Sequence, residues 1–440
     1  MNKYNNLVSQ IASKSLTSVW GGAFSLSAFR SGFKGLKTEV PSDFTPVLRF
    51  AVCSDIHLNG EAGQTAAVRF GQLFDDMYTY SESCAYNKFD AMMVAGDFSG
   101  GGAEKQYVMY NKITGEKLRP ETKLLTVIGN HEFIDYRDVD ATVGYTVYKK
   151  YISEEMDTDV VINGYHFIGV AYDDNGKTFK TKLEWLKERL DKATAQNPEM
   201  PVFVYQHPHP FLTVYGSVNW GDTDLRKVLS KYPQVVDFSG HSHYCPADPR
   251  SVWQGAFTAV GCGSLSALMG NLNYIEGDKD APGESGSAWV IEADSKGRVL
   301  MKLYDIENRQ FFPGVQYFFT ELHNKNKRAY NWHKQKSLDT APVFTGGAKI
   351  KCIINEEGET VISFPEATGF YPAENYKISV SDNGKNCVFA KTVISDYVRA
   401  AVNDVNANLG KLSNGEYTVK ITAYSPYAKK GGMLTGKISV

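Results

Sequence analysis

Apolar runs in this 440-residue chain stop, one after another, at residues able to bind a metal ion. Val47 to Cys53 is a β-type run that ends at Ser54-Asp55, Ala91 to Ala95 ends at Gly96-Asp97, and Leu124 to Ile128 ends at Gly129-Asn130. Val202 to Tyr205 leads into His207, and Val235 to Phe238 leads into Gly240-His241. Between the runs lie amphipathic stretches: Phe70, Leu73, Phe74 and Met77 fall at helical spacing, as do Leu183, Leu186 and Leu190. Short apolar strands alternating with such helices predict α/β layers around a sheet. Val160 to Ile162 and Tyr165 to Val170 flank Asn163-Gly164, a two-residue hairpin signal, so an antiparallel pair is also expected.

Five short motifs carry the candidate ligands in order: Asp55-Ile56-His57, Gly96-Asp97, Gly129-Asn130-His131-Glu132, His207 in Gln206-His207-Pro208, and Gly240-His241-Ser242-His243. Together they supply carboxylate, imidazole and amide oxygen, a donor set suited to Zn, Mn or Fe. Alternate residues of an extended segment face one side, so Asp55 and His57 can reach one ion together. His241 and His243 can do so from a tight loop, and the glycines before Asp97 and His241 suit a backbone that turns sharply. Taken singly, Asp55, Asp97, Asn130 and His241 would read as turn or cap residues at strand ends. All five motifs in order, each after a strand, do not fit that reading. His209 follows His207 closely enough to compete with it, whereas His166, His323 and His333 lie outside any motif and read as structural.

In this order the motifs resemble those of the calcineurin-like metallophosphoesterase superfamily, over roughly Val47 to Asp305. The resemblance implies an α/β fold with four layers, two β-sheets flanked by helices. It implies that Asp55, His57 and His243 hold one ion, that Asn130, His207 and His241 hold a second, and that Asp97 bridges both. The family uses the histidine directly after the strand, which favours His207 over His209. The implied cofactors are two divalent or trivalent transition metal ions, Mn, Fe or Zn. Ions ~3.5–4 Å apart would share an acidified water whose hydroxide attacks phosphorus in line. His131, outside the ligand set, becomes the general acid for the leaving oxygen, and Glu132 an anchor for its loop.

The run Gly96-Asp97-Phe98-Ser99-Gly100-Gly101 departs from two branches of the superfamily. It lacks the GDxVDRG of phosphoprotein phosphatases, and Gly100 stands where purple acid phosphatases carry a tyrosine ligand. The expected activity is therefore a metal-dependent phosphoesterase, with phosphodiesters slightly preferred because the phosphate-gripping arginine is missing. The alternatives are a phosphomonoesterase or nucleotidase using the same residues, or a metal-binding scaffold without turnover. The loop from Tyr244 to Gly286 could frame the substrate, with Arg250 its candidate phosphate grip beside Trp253 and Asn271. Tyr205, Tyr215, Trp220 and Tyr244 could stack on a nucleobase or simply pack in the core. Gly100 to Gly102 could offer backbone amides to a phosphate or form a plain loop, and Cys245 reads as a bystander thiol.

Beyond about Asp305 the pattern changes. Phe311, Phe312, Tyr317, Phe318 and Phe319 read as an aromatic connection, and Ala341-Pro342 with Gly346-Gly347 as a boundary. After it come alternating strands with turns at Glu357-Gly358, Asn383-Gly384 and Asn414-Gly415, as in an all-β sandwich. Leu412-Ser-Asn-Gly-Glu-Tyr417, followed by Val419, Ile421 and Ala423, resembles the tyrosine-corner region of fibronectin type III domains within the immunoglobulin-like sandwiches. The expected division is an N-terminal lead over 1–45, a catalytic domain over 46–335 and a fibronectin III-like domain over 340–440. This last domain is expected to attach the protein to a surface or glycan, or to serve as a packing module.

The chain has 47 basic and 49 acidic residues, a balance of −2 that gives no electrostatic case for a nucleic-acid partner. No stretch approaches the ~18 apolar residues of a membrane span. The expected partner is a small-molecule or polymeric phosphate ester. Ser15 to Phe29 is uncharged but broken by Gly21, Gly22 and serines, and reads as a mature segment, such as a surface helix, rather than a signal peptide. That favours a soluble, cytoplasmic protein and leaves a secreted or surface location open. The six cysteines form no CxxC pair and read as free thiols, with a Cys352 to Cys387 bridge the one open alternative.

Overall fold

The computed structural model describes residues 38–136, 138, 140, 142–173, 177–268, 285–383, 386–395 and 404–440. The expectations for residues 1–37 and for Asn271 fall outside this set. Two six-stranded sheets form the middle of the larger unit. In the first, the strand order is Gln310–Phe319, Val299–Asp305, Ser287–Asp294, Pro46–Cys53, Ala91–Ala95, Lys123–Val127. In the second it is Val252–Gln254, Thr258–Gly261, Val235–Ser239, Val202–Tyr205, Tyr165–Gly169, Thr158–Ile162. The strands that precede the five motifs pair in parallel: Pro46–Cys53 with Ala91–Ala95, and that strand with Lys123–Val127. Val202–Tyr205 likewise pairs in parallel with Val235–Ser239. Asn163 and Gly164, both at positive φ, turn the hairpin as expected.

These strands read as continuous apolar runs because both faces are covered. Leu48, Phe50 and Val52 point between the two sheets, whereas Ala51 and Cys53 join the helical layers. Phe50 carries the inter-sheet contact, its ring 5.0 Å from Phe167 and 4.8 Å from Phe203. Truncating a buried ring of this kind costs about 3–5 kcal/mol. Thr65–Glu82, Glu104–Lys117 and Thr142–Tyr151 make one outer helical layer, and Leu183–Gln196 and Thr223–Leu229 the other. Phe70, Leu73, Phe74 and Met77 are all buried on the inner face of the first helix, as their spacing requires. The result is the four-layer α/β sandwich.

The aromatic segment is not a connection. Gln310–Phe319 is the edge strand of the first sheet, with Phe312, Val315, Tyr317 and Phe319 buried between the sheets. Pro313 and Gly314 interrupt its alternation, and a register irregularity in its pairing with Val299–Asp305 absorbs the break.

Three strands, Lys351–Ile354, Thr360–Phe364 and Val405–Asn408, form one C-terminal sheet. Asn386–Ile394, Asn375–Asp382, Glu416–Tyr424 and Lys430–Ser439 form the other, and both are antiparallel throughout. Phe364, Tyr376, Val419 and Ile421 fill the space between. The Tyr417 hydroxyl donates to the Ser413 carbonyl at 2.7 Å, the back-bond of a tyrosine corner. Trp332 packs edge-on against Tyr427, and Ser425 and Lys429 both donate to Asp339, so this sandwich is tied to the larger unit. None of the six cysteines is in a disulfide, and Cys352 is not bridged to Cys387.

One buried carboxyl stands apart. Asp237, in the strand Val235–Ser239, is fully buried and neither of its oxygens makes a hydrogen bond. Burial pushes its pKa well above the carboxylate range, opposed only by nearby Gln206. In acid both the folded and unfolded chains carry this proton. As pH rises past the ordinary carboxylate value the unfolded chain releases it and the folded chain does not, so stability falls. Asp237→Asn is therefore expected to raise stability near neutral pH, on the order of 1 kcal/mol. The gain should shrink toward pH 4 in thermal melts, and a variant less stable than wild type at pH 7.5 would contradict this account.

Candidate metal centre

The five motif loops lie side by side at the carboxyl ends of the parallel strands, where open α/β sheets bind their ligands. Backbone bonds lace them together: Asp55 donates to Gly96, His57 to Asp97, Leu58 to Phe98, and Gly240 to His207, all at 2.9–3.2 Å. Asp55, His57, Asp97, His241 and His243 all have φ between 49° and 73°. Left-handed backbone is costly for residues with a Cβ, and here five ligand candidates share it. This conformation turns the side chains of successive loops toward one point. The preceding glycines are required by proximity as much as by turning. A Cβ on Gly96 would lie 2.6 Å from the His207 ring, and one on Gly240 would lie 2.3 Å from the Asp55 carboxylate.

Three overlapping groups converge: Asp55, His57 and His243; Asp97, His207 and His241; and His57, Asp97 and His131. In the first, His243 Nε2 is 3.0 Å from Asp55 Oδ1 and 3.1 Å from His57 Nε2. In the second, His207 Nε2 is 2.9 Å from Asp97 Oδ2. Metal–nitrogen bonds of about 2.0–2.1 Å place neighbouring ligand atoms roughly 3 Å apart, so these separations suit edges of a coordination shell. Asp55 Oδ1, His207 Nε2 and the amide oxygen of Asn130 are buried without hydrogen-bond geometry to any partner. Polar atoms are seldom left this way, and the donor set fits a cation. The residues present therefore fit a pair of transition metal ions.

The outer contacts fix the inner ones. His207 Nδ1 faces the Ala95 carbonyl at 2.9 Å and His243 Nδ1 the Ala267 carbonyl at 3.1 Å, so both rings donate there and keep Nε2 free as a ligand. His241 N–H donates to Asp55 Oδ2, and His131 N–H to Asp97 Oδ1. Glu132, fully buried, accepts from the backbones of Asp97, Ser99 and Gly129 and from the Ser99 hydroxyl, joining two of the loops. Burial and the nearby Asp97 push it up to about 8, against the pull of those donors. Burial alone would raise Asp97 and lower His207, but their mutual attraction wins: Asp97 falls to about 2 and His207 rises to about 10. His241, desolvated and facing His207, drops to about 4.

His131 differs from the rest. Its side chain is 31% exposed, against 12% for His57, 17% for His243 and none for His207. Its Nδ1 lies 2.9 Å from the Gly100 carbonyl, which leaves Nε2 uncommitted, 3.9 Å from Asp97 Oδ2. Burial lowers its pKa, with Asp97 acting in the opposite direction.

Several other candidates lie elsewhere. His209 is held between the Ser239 and Ser242 hydroxyls, both at 2.8 Å, behind the loop that presents His207. His166 bonds Asp159 and Gln196. Arg250 does not grip a phosphate: its guanidinium is engaged by Asp248 and Glu374, because the C-terminal sandwich supplies a buried carboxylate beside it. The amides of Gly101 and Gly102 donate to Gln106 and that of Gly100 to Leu58, so none is available to a substrate. Tyr205 is a core residue bonded to Thr158, and Cys245 is buried between the sheets. Only Trp220 of the four candidate stacking residues is substantially exposed, at 37%. Ser54 and Glu374, which sequence reasoning passed over, hold neighbouring loops through contacts that no local pattern announces.

Residues 48–245 match the family model for calcineurin-like phosphoesterases. The chain is 26% identical over 218 residues to the UPF0046 protein K07C11.7 of Caenorhabditis elegans, covering 46% of this chain and 66% of that protein, just short of two thirds. It is similar in structure to a purple acid phosphatase from yellow lupin, with a TM-score of 0.46 and 14% identity over 64% of this chain and 55% of that one. A two-domain fibronectin type III segment of chicken tenascin aligns with a TM-score of 0.18 and 13% identity, over 35% of this chain and 71% of that one. Among the described residues no helix is long and apolar enough to cross a membrane. The five motifs and the side chains that converge from them all fall within residues 48–245, the span that matches the calcineurin-like phosphoesterase family model.

Proposed function

We propose that this chain hydrolyses phosphate esters at the centre built from Asp55, His57, Asp97, Asn130, His207, His241 and His243, with diesters preferred. The observation that carries the reading is the convergence of two carboxylates and four imidazoles, with buried, unpartnered ligand atoms, beside a more exposed histidine. Two ions bound there, as Mn, Fe or Zn, would stabilise charge on the phosphoryl oxygens and acidify a water. The Asp97 carboxylate, between the two ligand groups, holds them in register. The Ala95 and Ala267 carbonyls hold the His207 and His243 rings in one orientation. His131 delivers a proton from Nε2 to the leaving oxygen as its bond to phosphorus breaks and the oxygen of water bonds to phosphorus. The diester preference is supported by the run after Asp97, which carries no arginine of the phosphoprotein-phosphatase kind, and Arg250, engaged by Asp248 and Glu374, does not replace it.

The test is a screen of the full chain, supplemented with Mn, against bis-p-nitrophenyl phosphate, p-nitrophenyl phosphate, cyclic nucleotides and nucleoside diphosphate compounds. About two ions per chain by elemental analysis, faster cleavage of diesters and loss of activity on chelation are expected. Cleavage of no ester by the loaded protein would leave a metal-binding scaffold. Faster cleavage of monoesters would replace the diester reading with a phosphomonoesterase or nucleotidase.

A further inference from the structure

A continuous row of contacts runs from the C-terminal sandwich to the metal centre. Glu374 Oε1 accepts from Arg250 Nη2 at 2.5 Å and from the Tyr215 hydroxyl at 3.3 Å. The Arg250 guanidinium carbon lies over the Tyr215 ring, 3.8 Å from its centroid. Tyr215 stacks on Tyr244 at 4.3 Å, and Tyr244 follows His243 directly in the chain. The segment carrying Tyr215 lies so close to the histidine turn that a Cβ on Gly216 would be 2.7 Å from Ser242 and 2.8 Å from the Tyr244 ring. The segment ends at Trp220, whose amide donates back to Gly216. The Trp220 ring stands 5.8 Å from Tyr244 and 6.2 Å, edge-on, from His241.

Trp220 is thus an aromatic side chain beside a metal-binding histidine, exposed rather than absorbed into the core. The rings behind it are locked by a buried ion pair between the two domains. We propose that Trp220 is a specificity-determining wall of the substrate site, against which a planar aromatic group of the phosphate ester packs, and that Glu374 is the positioning residue that holds this wall. The proposal rests on the phosphoesterase reading and deepens it by naming the substrate class, esters bearing an aryl ring or nucleobase. It also gives the C-terminal domain a part in the site that attachment or packing alone would not.

Non-hydrolysable probes separate this proposal from turnover. Calorimetric titration of the Mn-loaded full chain with phenylphosphonate, a nucleoside 5′-phosphonate and methylphosphonate is expected to show at least one aromatic probe bound about tenfold more tightly than the methyl probe, the size of one aromatic stacking contact. The two aromatic probes distinguish a simple aryl group from a nucleobase. Trp220→Ala should erase that preference while changing methylphosphonate affinity less than twofold, and Trp220→Phe should restore most of it. Glu374→Gln should reduce the preference about threefold with methylphosphonate affinity unchanged, a split that mere loosening of the fold would not produce. Equal binding of all three probes to the wild type, or a preference that survives Trp220→Ala, overturns the proposal. Selective binding without hydrolysis of any ester would leave the proposal standing and remove the phosphoesterase reading instead.

Discussion

Asp97→Asn is expected to lower turnover of bis-p-nitrophenyl phosphate by at least about 10³-fold, the scale on which electrostatic and metal-assisted stabilisation acts. Bound metal should fall from two ions per chain to one or none. Both carboxylate oxygens are already committed: Oδ1 accepts from the His131 amide at 2.8 Å and Oδ2 faces His207 Nε2 at 2.9 Å. An asparagine can keep one of these relations, but its amide nitrogen then turns toward the other, where a lone pair is needed. It also removes one of two buried negative charges that face four imidazoles. Elemental analysis and steady-state kinetics on the same preparation read both effects. Two ions with wild-type turnover would contradict a place for Asp97 in the centre. Two ions with lost turnover would move the role of Asp97 from holding metal to orienting the reaction.

The parts of the fold that were legible are those where one physical demand dominates. Ala91–Ala95 and Val202–Tyr205 appear at the expected residues because strands covered on both faces leave unbroken apolar runs. Gln310–Phe319 was hidden because Pro313 and Gly314 break the alternation that marks a strand, and the pairing irregularity that rescues it is a tertiary event. The ligand candidates were legible as an ordered set, but their left-handed backbone was not, since Asp and His at φ near 50° look like ordinary loop residues in sequence. His207 and His209 illustrate the limit. Both are buried, two residues apart, and tertiary partners separate them: the Ser239 and Ser242 hydroxyls take His209, whereas the Ala95 carbonyl and Asp97 take His207. Arg250 marks the other limit: its partner Glu374 is 124 residues away in a different domain, beyond the reach of any local pattern.

His131 should declare itself by the leaving group. His131→Asn is expected to lower kcat by about 10²–10⁴-fold for an alkyl ester, whose leaving oxygen needs a proton, and far less for a p-nitrophenyl ester, whose leaving group departs as a stable anion. The asparagine leaves the His131 backbone amide in place to donate to Asp97, so metal content should stay at the wild-type value. The geometry makes this contrast specific. Nδ1 is held by the Gly100 carbonyl, so the ring exchanges a proton with substrate through Nε2, on an imidazole more exposed than those of His57, His207 and His243. A ligand would behave differently, because its loss would lower metal content and slow both esters alike. Equal losses on alkyl and p-nitrophenyl esters, with an ion missing, would therefore assign His131 to the metal through the His57, Asp97 and His131 group rather than to the leaving oxygen.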